Sequence, residues 1–323
     1  MGFRVIKTSI ATLLSILTAD ALGVENPLSA GLLAILGVDV TRKRSLHTVS
    51  SRFFASVLGL LLAFGIFYLL GFHYWVLAVY ILIAFPLMSR AHMKEGIVTS
   101  SVVVFRVFTG EALSMHIMIT QIELLIIGLG YATIVNFAYM PKHEHRLSDI
   151  RCKVDKLFAV IFKQIAVTLR DPYHVWDGKE LIEAESLISQ GQVTANHALE
   201  NQMINPNDAW NVYFYMRKQQ LERVEYMLEL ISRVYQRMPQ GEVAAILFDQ
   251  LSIDVIDETY TGKTEYLLDQ MQAEFKMMEL PSTRDEFEMR SSILQLCREL
   301  EIYLNIAKKY KSPAELQARK EMD

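Results

Sequence analysis

Long apolar runs alternate with short polar connections over the first 140 positions of the chain. The runs occupy six segments, at residues 4–18, 27–40, 52–70, 74–88, 97–113 and 116–140. A helix rises about 1.5 Å per residue and the hydrocarbon core of a bilayer is about 30 Å thick, so the third and sixth segments are long enough to cross it. The second segment is short. The pattern predicts a transmembrane domain of six helices over residues 1–141.

Beyond residue 141 the apolar positions follow the spacing of amphipathic helices. Steps of three and four residues recur in three stretches, at 150–165, 221–235 and 293–304. Thr283 and Glu286 form the sequence pattern of a capping box at the start of the last stretch. No stretch alternates with the period of a strand. The chain is therefore predicted to be all-α, with an α-helical bundle of four or five helices as a cytoplasmic domain over residues 142–323.

Charge is distributed unevenly between these two parts. Only nine of the 32 Lys and Arg residues, and six of the 36 Asp and Glu residues, precede position 141. The net charge of −4 argues against a nucleic-acid partner. Membrane lipid is the partner that the apolar part predicts.

Six of the nine basic residues of the first part lie in alternate connections or directly beside them. They occur at positions 42, 43, 44 and 52 and again at 90 and 94, whereas the connections at 20–26, 71–73 and 110–115 contain no Lys or Arg. Cytoplasmic connections carry the excess of positive charge in membrane proteins. We therefore expect a multi-pass membrane protein with both termini in the cytoplasm.

Charged residues inside the apolar segments are candidates for function. Arg106 lies in the middle of the fifth segment, where an ionised guanidinium costs about 2.5–3.5 kcal/mol on insertion scales. Glu123 lies in the sixth. Either the two side chains neutralise each other and specify packing, or Arg106 binds an anionic substrate and Glu123 competes for it. Asp39 and Asn136, near inner ends of their segments, are candidate gating or lining residues.

The sequence contains no signature of an enzyme. It has no glycine-rich phosphate loop, and His143, Glu144 and His145 are adjacent, so their side chains cannot converge on one metal ion from a regular helix. No cofactor and no metal site is predicted. Cys152 and Cys297 are expected to pack in a core.

Several short motifs of the first part resemble the bacterial aromatic acid exporter family. They are RVIKT at 4–8, the turn at 20–27, RKRS at 42–45, RFFASVLG at 52–59, KEG at 94–96 and NFAYMP at 136–141. The chain resembles the half-size form of this family, with its C-terminal helical cytoplasmic domain. It is more distantly similar to fusaric acid resistance pumps and to the plant aluminium-activated malate transporters.

The resemblance implies a protein of the bacterial cell (inner) membrane that carries out efflux of aromatic or other amphipathic organic anions. It adds Lys7 and Arg52 to Arg106 as candidate substrate-binding residues, and it implies a homodimer, because six helices are half of what the larger relatives contain. Two other functions remain open from the sequence. One is a passive organic-anion channel, and the other is a membrane-anchored regulatory or interaction protein.

Overall fold

The computed structural model describes residues 3–110, 113–138, 144–202 and 206–311. These residues form α-helices joined by short connections, with one 3-10 helix and no strand element among them. The prediction of an all-α chain is confirmed. In the first part the helices are α1 (Phe3–Ala21), α2 (Leu28–Gly37), α3 (Arg42–Leu70), α4 (Tyr74–Arg90), the 3-10 helix Lys94–Gly96, α5 (Ile97–Thr109) and α6 (Met115–Ala138).

Six further helices follow in the described residues, where the sequence pattern predicted four or five. They are α7 (Glu144–Arg170), α8 (Lys179–Asn201), α9 (Ala209–Ile231), α10 (Pro239–Asp254), α11 (Lys263–Met277) and α12 (Arg284–Tyr310). The chain divides into two compact units. The first covers the described residues of Met1–Pro141 and Leu199–Pro206, and the second those of Lys142–Ala198 and Asn207–Asp323.

In the first unit, α1, α2 and α6 pack closely together, and α3 packs against α5 and α6. Small residues allow these close approaches. A Cβ atom added at Gly128 of α6 would lie 2.5 Å from the carbonyl oxygen of Ala30 on α2, and one added at Gly37 would lie 2.8 Å from the Cβ of Ala132. The glycines therefore bring the backbones of α2 and α6 into contact.

Two helices in the described part of the chain, α3 and α6, are long and apolar enough to cross a membrane. Helices α2 and α4 are apolar but shorter. Large apolar side chains of the first unit are also exposed, among them Leu61, Leu69, Leu82, Ile126 and Ile134. Soluble monomers rarely expose many large apolar side chains on one domain. The six predicted spans correspond to six helices, and their crossing of the membrane stays a prediction.

Helix α3 begins at Arg42, ten residues before the predicted start of the third span. The start of the apolar run does not mark the start of the helix, because the first turns of α3 bury small polar side chains instead of apolar ones. Ser45, Thr48 and Ser51, spaced three residues apart, lie on the buried face, whereas Arg44 is exposed.

Two other predicted spans are shorter than expected. Helix α2 ends at Gly37, so Asp39 lies in the connection to α3 rather than inside a helix. Helix α5 ends at Thr109, so Arg106 lies in its last turn and not in mid-span. The predicted end of the sixth span at Met140 lies outside the described residues, as do Pro141 and His143.

The second unit is built around one hydrophobic core, where α7 packs against α10 and α9 packs against α12. Phe162 lies at its centre, with ring centroids 5.3 Å from Tyr303 and 6.1 Å from Phe158. The predicted cap of α12 is present, because the Thr283 hydroxyl accepts a hydrogen bond from the Glu286 amide at 3.1 Å. The Glu286 carboxylate accepts from the amide of Ser282 rather than from that of Thr283.

A buried arginine lies in the core of this unit. The Arg217 side chain is 1% exposed and forms an ion pair with Asp155 at 2.5 Å. Its remaining donors bind the Tyr213 hydroxyl, the Gln220 amide oxygen, the Tyr303 hydroxyl and a backbone carbonyl. Burial of the Tyr213 phenol raises its pKa above the usual range, so it stays protonated and donates to Asp155 at 2.5 Å.

The two cysteines lie in different surroundings. Cys297 is buried on α12 as expected, and burial raises the pKa of its thiol to about 12. Cys152 is exposed on α7, so the prediction of a core role for it was wrong. Val154, two residues further along the helix, is buried, and the side chains of Cys152 and Val154 point to opposite sides of α7.

Candidate functional site

Four of the six sequence candidates lie close together in the first unit. The Lys7 side chain, on α1, is 1% exposed, and its ammonium group donates to Asn136 Oδ1 at 3.1 Å and to the Asp39 carbonyl oxygen at 3.4 Å. Asn136, on α6, is fully buried and donates to the Ser45 hydroxyl of α3 at 2.7 Å. These bonds join α1, α3, α6 and the connection after α2.

Two carboxylates share one hydroxyl group beside Lys7. The Thr48 hydroxyl lies 2.6 Å from Glu95 Oε2 and 3.0 Å from Asp39 Oδ2. A hydroxyl has one hydrogen and can donate to only one carboxylate at a time. Arg44, which is exposed, lies 3.3 Å from the same oxygen of Asp39. Glu95 thereby brings the 3-10 helix into the group.

Arg52 lies on α3 one turn after Thr48, and it is incompletely paired. Its Nη1 donates to the Thr99 hydroxyl of α5 at 2.8 Å, and no carboxylate of the described chain lies within ion-pair distance of it. Its Nε is buried and has no acceptor, and the hydroxyls of Ser51 and Ser56 on the same helix are also buried without a partner. Buried polar groups of this kind are rare and call for an explanation.

The close fit around Arg52 depends on a glycine. A Cβ atom added at Gly96 would lie 2.5 Å from the Ser51 carbonyl oxygen and 3.0 Å from the Arg52 Cα. Any side chain at this position would push the 3-10 helix away from α3. Glu95 would then lose its position beside Thr48.

We refer to Lys7, Asp39, Ser45, Thr48, Arg52, Glu95, Thr99 and Asn136 as the polar cluster. It contains two cations, Lys7 and Arg52, and two carboxylates, Asp39 and Glu95. The sequence pattern assigns no role to Glu95, Thr48 or Ser45, although the motifs at 42–45 and 94–96 contain Ser45 and Glu95.

The other two candidates are not part of the cluster. Arg106 is half-buried on α5, seven residues or about 10 Å beyond Thr99. Glu123 is exposed on α6. Among the described residues neither side chain forms an ion pair, so the proposed neutralisation of Arg106 by Glu123 is absent from this structure.

Two family profiles together match nearly the whole chain. One, described as "Aromatic acid exporter family member 1", matches residues 1–140, and one described as "Putative aromatic acid exporter C-terminal domain" matches residues 144–308. The chain is also 32% identical over 315 residues to a protein of Bacillus subtilis (strain 168) named "Uncharacterized protein YqjA", and the match covers 96% of each chain.

One solved structure resembles about half of the chain. It is described as "Crystal structure of putative membrane protein from Clostridium difficile 630", and the match covers 51% of this chain and 98% of that one. The two share 19% sequence identity, and the TM-score is 0.45.

Proposed function

Because the chain belongs to the aromatic acid exporter family, whose members are membrane proteins, we propose that it transports amphipathic organic anions, aromatic acids among them, out of the cytoplasm. The family suggests a transporter rather than an enzyme. The observation that supports an anionic substrate is Arg52, whose buried Nε has no acceptor and whose guanidinium has no carboxylate partner among the described residues.

The substrate carboxylate would bind at Arg52. Arginine presents its donors in a planar fork that matches a carboxylate, and a hydrogen bond between ionised groups is about twice as strong as a neutral one. Lys7, held by Asn136 and Asp39, would add a second positive charge nearby. The apolar body of the substrate would lie against the apolar and small side chains of the surrounding helices.

Asp39 and Glu95 would favour release. Both carboxylates lie within hydrogen-bond distance of the Thr48 hydroxyl, one turn before Arg52, so they would partly neutralise its charge when no substrate is bound. A substrate carboxylate therefore binds in competition with them and does not bind so tightly that it cannot leave. The membrane potential favours anion exit by about 2.3 kcal/mol per charge per 100 mV.

The proposed topology has six spans, both termini and the second unit in the cytoplasm, and two copies of the chain in the functional unit. The unequal distribution of Lys and Arg between alternate connections supports the orientation. The dimer follows from the half-size form of the first unit compared with larger relatives.

Flux measurements in proteoliposomes test the proposal. We expect saturable, protein-dependent flux of 2-naphthoate at mildly alkaline pH, where the acid is ionised, with acetate transported far less because it lacks an apolar body. Protein-free vesicles give the passive background, and an imposed potential should drive the anion toward the positive side. Flux that rises linearly with concentration and voltage would instead indicate a channel, and absence of flux across a panel of aromatic acids would contradict transport.

A carboxylate that competes with the substrate should weaken its binding. We expect Glu95→Gln to lower the KM for 2-naphthoate transport by about threefold to tenfold, because one negative charge near Arg52 is removed, corresponding to about 1 kcal/mol of Coulomb energy. Glu123→Gln removes the same charge outside the polar cluster and serves as the matched control. Equal effects of the two substitutions would contradict the competition.

A further inference from the structure

The second unit contains a cleft of about 470 Å³ between α10, α11 and α12. Pockets that bind small molecules have volumes of about 300–1,000 Å³. The size therefore suits a ligand with one or two rings. Nothing in the polar cluster of the first unit contributes to this cleft.

One wall of the cleft is apolar. Phe275 of α11 packs against the hydrophobic core from this side, and Met278 and Leu294 lie beside it. Leu294 is 45% exposed although it lies on the core helix α12. A ring or an alkyl group of a ligand can pack against these side chains and displace water from them.

The charges around the cleft are predominantly positive. Lys276 and Arg298 are exposed there, and neither has a carboxylate partner among the residues that the structure describes. Arg290, the third cation, is already paired with Glu286 and donates to the Glu279 carbonyl oxygen. Glu301 is the carboxylate that lines the cleft.

We propose that this cleft is a second anion site, which binds an amphipathic monocarboxylate with its apolar body on Phe275, Met278 and Leu294 and its carboxylate at Lys276 and Arg298. The charge of Glu301 disfavours a dianion in the same place. The site does not depend on transport by the first unit. It would let the second unit bind the same chemical class that the first unit is proposed to carry.

The test uses the full chain in detergent micelles, with Arg52→Gln in the background so that the first unit does not contribute a site. Binding of 2-naphthoate is followed by isothermal titration calorimetry, and 2-naphthamide is the uncharged probe of the same shape. We expect the acid to bind at least tenfold more tightly than the amide. We also expect Lys276→Gln/Arg298→Gln to weaken binding of the acid at least tenfold, and to leave binding of the amide unchanged.

Matched substitutions separate a local site from a general effect of charge. Lys153→Gln/Lys156→Gln removes two exposed positive charges of α7 that lie outside the cleft, and it should leave binding unchanged. Leu294→Asp should abolish binding, because it places a carboxylate on the apolar wall. The proposal is overturned if the Arg52→Gln chain does not bind the acid, if acid and amide bind equally to it, or if both double substitutions have the same effect. None of these outcomes bears on flux in proteoliposomes.

Discussion

Replacement of Arg52 with glutamine is expected to reduce kcat/KM for organic-anion flux by about 10-fold to 100-fold. A hydrogen bond to a charged group contributes about 1.5–3 kcal/mol, and glutamine can replace the bond to Thr99 but not the positive charge. The measurement is the initial rate of 2-naphthoate flux in proteoliposomes that contain equal amounts of inserted protein. Arg52→Lys keeps the charge without the planar fork and should be intermediate.

Arg106→Gln is the matched control for this substitution. It removes the same group from the last turn of α5, outside the polar cluster, and we expect less than a threefold change in flux. The opposite result, with flux lost in Arg106→Gln and kept in Arg52→Gln, would show that Arg106 and not Arg52 is the substrate residue.

The second large effect is expected in the second unit. Asp155→Leu should lower its free energy of unfolding by about 3–5 kcal/mol, because Arg217 then remains buried without a counter-charge. Tyr213 also loses the acceptor of its hydroxyl. Single domains are stable by about 5–15 kcal/mol, so the loss is a large fraction of the total. Urea unfolding of the full chain in micelles, followed by the near-ultraviolet circular dichroism of the core aromatics, measures it.

Two further variants test whether the loss of stability comes from the unpaired charge of Arg217. Glu229→Gln breaks the exposed ion pair with Arg233 and should cost at most about 0.5 kcal/mol. Asp155→Leu/Arg217→Met removes both buried charges and should recover a large part of the stability. If the double variant is no more stable than Asp155→Leu, the loss arises from packing and not from the unpaired arginine.

The helices of the first unit could be predicted because apolar runs and loop charges are local properties of the sequence. The resemblance to the exporter family indicated Lys7 and Arg52 as candidates. The positions of Asp39 and Asn136 near the inner ends of their apolar segments indicated the other two. That these four lie together depends on the packing of α1, α3 and α6, which no spacing along the chain encodes. The sequence favours Arg106 because the apolar run continues to Leu113, which lies beyond the end of α5 at Thr109.

The polar cluster was only partly predictable for a second reason. Ser45, Thr48 and Thr99 are small and uncharged, so hydropathy gives them no weight, and Glu95 lies in a connection. In the second unit the same limitation applies to Arg217. A helical wheel treats arginine as a surface residue. Its burial depends on polar partners, of which Tyr213 and Gln220 share α9 with it, whereas Asp155 of α7 and Tyr303 of α12 come from other helices.

Helix α3 is 29 residues long, which corresponds to about 43 Å of continuous rod. Ser45, Thr48 and Arg52 are fixed on it at intervals of one turn, so none of them can move without the others. A tilt of this rod that separates Ser45 from Asn136 must also withdraw Thr48 from Glu95 and reorient Arg52. Occupied and empty states of the site would therefore interchange in one concerted step. The same tilt of α3 would move Arg52 and would break the contact of Thr48 with the competing carboxylates.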